Sequence, residues 1–125
     1  MINLKITGNP MSSKNHRPIF INKATGNRFV GKSKALKDYM DNGLKELKAQ
    51  TKSEPISSPI EISFQFYVKD KRKYDLVNMI QAPLDLLKQA GIIADDNYFI
   101  VESLDGSRIH IDKNEPRTEI EIKIL

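Results

Sequence analysis

Ile60-Glu61-Ile62-Ser63-Phe64-Gln65-Phe66-Tyr67-Val68 is the stretch on which the fold turns. Apolar and polar side chains alternate along it, the signature of a strand with one buried face and one wet face. The pattern then changes. Asp75 stands ahead of an apolar-rich segment, and a helix is expected between Asp75 and Ala90. Gly91 sits at the C′ position, and Lys88 in the last turn suits the negative end of the helix dipole. Pro83 falls inside this segment, where it deletes a backbone hydrogen bond, so a kink or regular structure confined to the second half is expected. Further strands are expected near Tyr98–Leu104, Arg108–Ile111 and Thr118–Ile124.

Toward the N-terminus, Ile2 to Thr7 reads as a short strand ended by Gly8-Asn9-Pro10, and Met11 to Pro18 as a polar loop. Ile19–Ile21 and Arg28–Val30 flank Ala24-Thr25-Gly26-Asn27, a hairpin in which Gly26 supplies a positive φ. Ser33 is a plausible N-cap for a helix to about Gln50, whose Leu36, Met40, Leu44 and Leu47 form one apolar stripe. Thr51 to Pro59, rich in Ser and Pro, is a connection. A chain of 125 residues argues for one domain, 1–125, with enough core to fold without staples. The expected class is α/β of the α+β type: a mixed or antiparallel sheet with two main helices.

There is no cysteine, which excludes disulfides, thiolate zinc sites and cysteine nucleophiles. Met1–Ile6 reads as a strand rather than a leader, and no apolar run approaches the roughly 20 residues that span a bilayer. A soluble, cytoplasmic protein without membrane partners is expected. Twenty basic against sixteen acidic side chains give a net charge of +4, a mild excess whose distribution is more telling. Lys14, Arg17, Lys23, Arg28, Lys32 and Lys34 precede the first acidic residue, Asp38, and Lys69-Asp70-Lys71-Arg72-Lys73 form a second basic cluster. Acidic residues gather instead at Asp95-Asp96 and beyond Glu102. This segregation suits a phosphate-binding surface beside a carboxylate site better than it suits solvated loops with charges placed for solubility.

Asp75, Asp95 and Asp96 are the candidate chemical groups. The helix from Leu76 to Ala90 is about 21 Å long, and six nearly extended residues from Ala90 to Asp96 cover about 20 Å. The chain therefore reaches back along the helix far enough to set Asp96 beside Asp75. Carboxylates gathered in this way need a cation, and oxygen-only ligands suit Mg²⁺, or Mn²⁺ in its place. Lys69, Lys71, Arg72 and Lys73, with Lys14 and Arg17, would hold DNA phosphates. The same residues also serve as an ordinary N-cap and an ordinary turn. Asp85 lies about 15 Å along a continuous helix from Asp75, too far for one ion site.

Gly26-Asn27-Arg28-Phe29-Val30-Gly31-Lys32-Ser33 matches the P-loop pattern literally. Yet Phe29-Val30 reads as a returning hairpin strand, and the chain lacks room for the parallel crossovers of a nucleotide-binding sheet. No nucleotide cofactor is expected. His16 and His110 have no zinc-ligand spacing.

Asp75-Leu76-Val77-Asn78, Asp85, Ala90-Gly91-Ile92-Ile93 and Asp95-Asp96 resemble the RusA-type Holliday-junction resolvase family. That family carries Asp-x-Asp-Asn at a helix start, an aspartate ten positions after the first, then Gly, a few apolar residues and Asp-Asp. Gly8-Asn9-Pro10, Lys14-Asn15, Thr25-Gly26 and Ser33-Lys34 resemble the start of phage-type relatives. The resemblance implies a homodimeric, Mg²⁺-dependent nuclease that nicks two strands of a four-way junction in recombination and repair, in a bacterial or phage-infected cell. By the same transfer Asp75 and Asp96 are metal-binding catalytic aspartates, with Asp95 beside them and Asn78 to supply a further, weaker oxygen. Val77 replaces the second aspartate of the motif, and Gln81 a lysine expected six residues after the first. These departures bring in the alternative of a branched-DNA-binding protein with weakened or lost cleavage and a regulatory role.

Overall fold

The computed structural model describes residues 1–13, 19–31 and 33–125. At its centre is β4, Ile60–Val68, which keeps the alternation of its sequence. Ile60, Ile62, Phe64, Phe66 and Val68 are buried, with half-buried Glu61, Ser63, Gln65 and Tyr67 between them. β7 (Arg117–Ile124) runs antiparallel along one side of β4, and β1 (Ile2–Thr7) runs antiparallel along β7. On the other side, β5 (Val101–Ser103) and β6 (Arg108–Ile111) both run parallel to β4. They are two pieces of one path. Between them, Ser107 Oγ accepts the Phe64 N–H at 3.1 Å and donates to the Leu104 carbonyl at 2.7 Å. A separate hairpin pairs β2 (Ile19–Ile21) with β3 (Arg28–Val30), and Gly26 in its loop has φ 75°.

Two helices cover one face of the sheet. α1 (Lys34–Gln50) starts at Ser33, whose Oγ accepts the Leu36 N–H at 3.1 Å. Leu36, Met40, Gly43 and Leu47 are its buried residues, Leu44 being only half-buried. Gly43 marks a close crossing: a Cβ there would lie 2.8 Å from Leu86 Cδ1 and 3.3 Å from Ile6 Cγ2. α2 (Leu76–Gln89) runs through Pro83, so regular structure is not confined to its second half, one of the two outcomes expected there. Burial of Ala82, Pro83, Leu84, Leu86 and Leu87 against the core outweighs the lost hydrogen bond. The product is a two-layer α+β domain with a mixed sheet, as the sequence led one to expect.

The end of α2 is a full Schellman turn. Gly91, at φ 73°, donates to the Lys88 carbonyl at 3.0 Å, and Ile92 donates to that of Leu87 at 3.0 Å. Leu87 and Ile92 are both buried, which supplies the apolar contact of the motif. A Cβ at Gly91 would meet nothing within 4 Å, so substitution there costs backbone strain alone. Gly91→Ala is accordingly expected to lower stability by about 1–2 kcal/mol, read as a lower midpoint in urea with an unchanged slope.

The free edge of β1 is occupied by side chains of α1. Gln50 pairs with Lys5 as a strand would, accepting its N–H at 2.8 Å and donating to its carbonyl at 2.6 Å. Glu46 accepts the Thr7 N–H at 3.2 Å.

Candidate functional site

The loop from Lys69 to Tyr74 joins β4 to α2 and is tied down by its own acid. Asp70 accepts the Arg72 N–H at 3.2 Å and the Tyr74 hydroxyl at 2.8 Å, and it pairs with Arg72 Nε at 3.2 Å. The Tyr74 hydroxyl is the main reason that the Asp70 carboxyl is held below the usual carboxylate range. Asn9 clips the loop to the end of β1: its Oδ1 accepts the Lys69 N–H at 2.8 Å. Lys69, Lys71, Arg72 and Lys73 are exposed, and among the described residues Lys69, Lys71 and Lys73 make no ion pair. Lys14 and Arg17, the other expected phosphate contacts, lie outside the described residues, as do His16 and Lys32.

Asp75 caps α2. Its Oδ1 accepts the N–H groups of Val77 at 3.1 Å and Asn78 at 3.4 Å, as an N-cap aspartate should. It lines a cleft of about 510 Å³ whose walls also come from the Asn9–Ser12 segment, from Ala35 and Tyr39 of α1, and from Lys69, Arg72 and Lys73. Burial pushes the Tyr39 phenol up to about 12, so it is neutral. Val77 projects into solvent, 77% exposed. Gln81 donates to Asp85 at 3.5 Å, one turn further along.

Asp95 and Asp96 lie beyond the other end of α2. The Asp96 N–H donates to Asp95 Oδ1 at 2.7 Å, and Lys88 Nζ approaches Asp96 at 3.4 Å and Asp95 at 3.9 Å. The Asp96 amide, helped by Lys88, holds the Asp95 carboxyl below the usual range, so Asp95 stays ionised at neutral pH. The next residues, Tyr98 and Phe99, are not in a strand. They form an exposed, stacked pair with ring centroids 4.4 Å apart, held by Asn97, which accepts the Phe99 N–H through Oδ1 and the Ile100 N–H through its carbonyl.

The two acidic positions do not meet within one chain. The expected return along the helix fails because residues after Gly91 are drawn inward instead. Ile92 and Ile93 are buried, and Ile93 bridges to Ile56, with Ala94 N–H donating to the Ile56 carbonyl at 2.9 Å. The turn at 95–100 then leads into β5, whose Val101 stands beside Ile60 at the start of β4, whereas Asp75 follows the end of β4. Along α2, Asp75 and Lys88 are about 20 Å apart. Among the described residues, no group of three His, Cys, Asp or Glu side chains converges to hold a metal ion. The donors of a single chain therefore do not fit a three-carboxylate ion site. His110 is engaged elsewhere, 2.7 Å from Gln65 Oε1 and stacked on Tyr67.

Lys88 and Tyr39 entered this geometry without a sequence signal for function. Lys88 was legible only as a dipole-suited residue, and Asn9 and Tyr39 reach the cleft from elements distant in the chain.

A two-layer α+β domain with unpaired lysines and an acidic cap at one end of a helix, and a paired aspartate turn at the other, has the equipment of a protein that handles a polyanion. Residues 7–123 match the family model described as Endodeoxyribonuclease RusA, and the chain belongs to that family. No curated protein matches it. Among the described residues, no helix is long and apolar enough to cross a membrane.

Proposed function

We propose that this protein is an endonuclease that resolves four-way DNA junctions by paired phosphodiester hydrolysis, working as a homodimer and depending on Mg²⁺ or Mn²⁺. The observation that carries this reading is the family match over residues 7–123. The placement of Asp75 beside unpaired Lys69 and Lys73 in one cleft supports it. The lysines, with Lys71 and Arg72, hold backbone phosphates; Asp75, Asp95 and Asp96 supply the acidic groups, with Asn78 beside Asp75. Because α2 keeps Asp75 away from the Asp95–Asp96 pair, a pocket that uses both has to draw them from two copies. Two-fold symmetry makes such an arrangement occur twice, matching the symmetry of a four-way junction. Incubation with a synthetic junction and Mg²⁺ tests the proposal. Paired, symmetric nicks that vanish with a chelator are expected; intact strands at saturating protein would refute it.

One observation favours the rival of a junction-binding protein with weak cleavage: Val77 stands where the family motif has a second carboxylate. Val77 is also exposed, so an aspartate fits there without disturbing the core. At the start of a helix it would be favoured by the dipole. Val77→Asp is expected to raise junction nicking about tenfold or more without loss of stability, the gain that one added charge–charge interaction of about 1.4 kcal/mol produces.

A further inference from the structure

The cleft beside Asp75 is larger than phosphate contacts alone require. Its volume of about 510 Å³ falls within the range of small-molecule sites, roughly 300–1,000 Å³. Its walls are of two kinds. Half-buried Met11 and Tyr39 offer thioether and ring surfaces above a floor closed by Met79, 1% exposed, while the exposed Lys69 and Lys73 make no ion pair. The Asp75 cap uses only Oδ1, which leaves Oδ2 available.

We infer that this cleft takes one nucleotide of the DNA substrate, turned out of the base stack beside the cut, with its base against Met11 and Tyr39, over the floor that Met79 closes, and its phosphate on Lys69 and Lys73. The inference rests on the junction-nuclease reading and adds a binding pocket to it. An inorganic phosphate would engage the rim and leave the apolar walls bare, whereas a nucleotide matches both. Bases pack on aromatic faces irrespective of sequence. A nucleotide at a branch point is cheaper to unstack than one within a duplex.

The chain has four methionines, two of which line the cleft (Met11 and Met79), whereas Met1 and Met40 do not. Selective ¹³C-methyl labelling therefore gives a four-signal spectrum with its own internal control. Titration with a deoxynucleoside 5′-monophosphate is expected to shift Met11 and Met79, saturating in the millimolar range, and to leave Met1 and Met40 in place. Inorganic phosphate at the same ionic strength is expected to leave all four unmoved. Ala35→Trp, a substitution at an exposed position of the first turn of α1, should fill the cleft and abolish the shifts, with Met1 and Met40 reporting that the fold persists. Static Met11 and Met79 signals, equal shifts with phosphate, or undiminished shifts in the tryptophan variant would each overturn the inference. The two readings fail separately. Junction nicking without methionine shifts retires the pocket alone, and methionine shifts without nicking retire the nuclease reading alone.

Discussion

Asp75→Asn is expected to reduce junction nicking by about 10²–10³-fold, the usual cost of removing one group that stabilises transition-state charge, while leaving the fold intact. The substitution is clean because asparagine caps helices as well as aspartate does. The bonds from Oδ1 to the Val77 and Asn78 N–H groups survive it, and only the charge is lost. Asp75 is exposed, so the change in stability should stay within about 0.5 kcal/mol. Asp96→Asn should be equally damaging if both positions serve one reaction. Mixing the two inactive proteins then gives a sharper result. In a mixed dimer whose sites are shared between copies, one site combines two asparagines and the other combines two intact aspartates. Partial nicking should return on mixing. If each site belonged to one chain, every site in the mixture would carry a substitution and no activity would return.

Junction affinity should fall by roughly 10³–10⁵-fold between 50 and 200 mM salt, as expected when six to ten phosphates are neutralised. The basis is the run Lys69, Lys71, Arg72, Lys73, exposed and largely unpaired, carried once by each copy of a dimer. Arg72 is partly engaged by Asp70, so the three lysines should dominate. Replacing Lys69, Lys71 and Lys73 together by glutamine removes three contacts per copy. At about 0.9 per phosphate, the slope of log affinity against log salt should become shallower by about 5 for a dimer. A slope that does not change would take this loop off the DNA. Since none of these side chains is buried, the variant should unfold at nearly the wild-type temperature.

Those elements whose signals are local were legible in the sequence. β4 announced itself by alternation, α1 by Ser33 and its stripe, and the ends of α2 by Asp75 and Gly91. The hairpin followed from Gly26. Where packing between distant segments decides, sequence reasoning went astray. Pro83 does not confine regular structure to the second half of α2, because the core holds its neighbours, and no helix propensity contains that information. Tyr98 and Phe99 have the composition of a strand but sit in a turn set by Asn97. The path of Ile92 and Ile93 depends on Ile56, some 36 positions earlier, so the chain folds inward where an extended return had been expected. The candidate residues were therefore nameable individually, while their grouping was not. The cleft escaped for the same reason, being assembled from residues near 10, 37 and 73.

The way Gln50 and Glu46 close off β1 bears on how two molecules can associate. An open rim would let copies join backbone to backbone, each new arrival offering the same rim to the next, and such growth has no natural end. With that rim sealed from within by an amide that imitates a neighbouring strand, β1 is closed to such additions. Converting Gln50 into a residue too short to reach Lys5 would reopen the route to filaments.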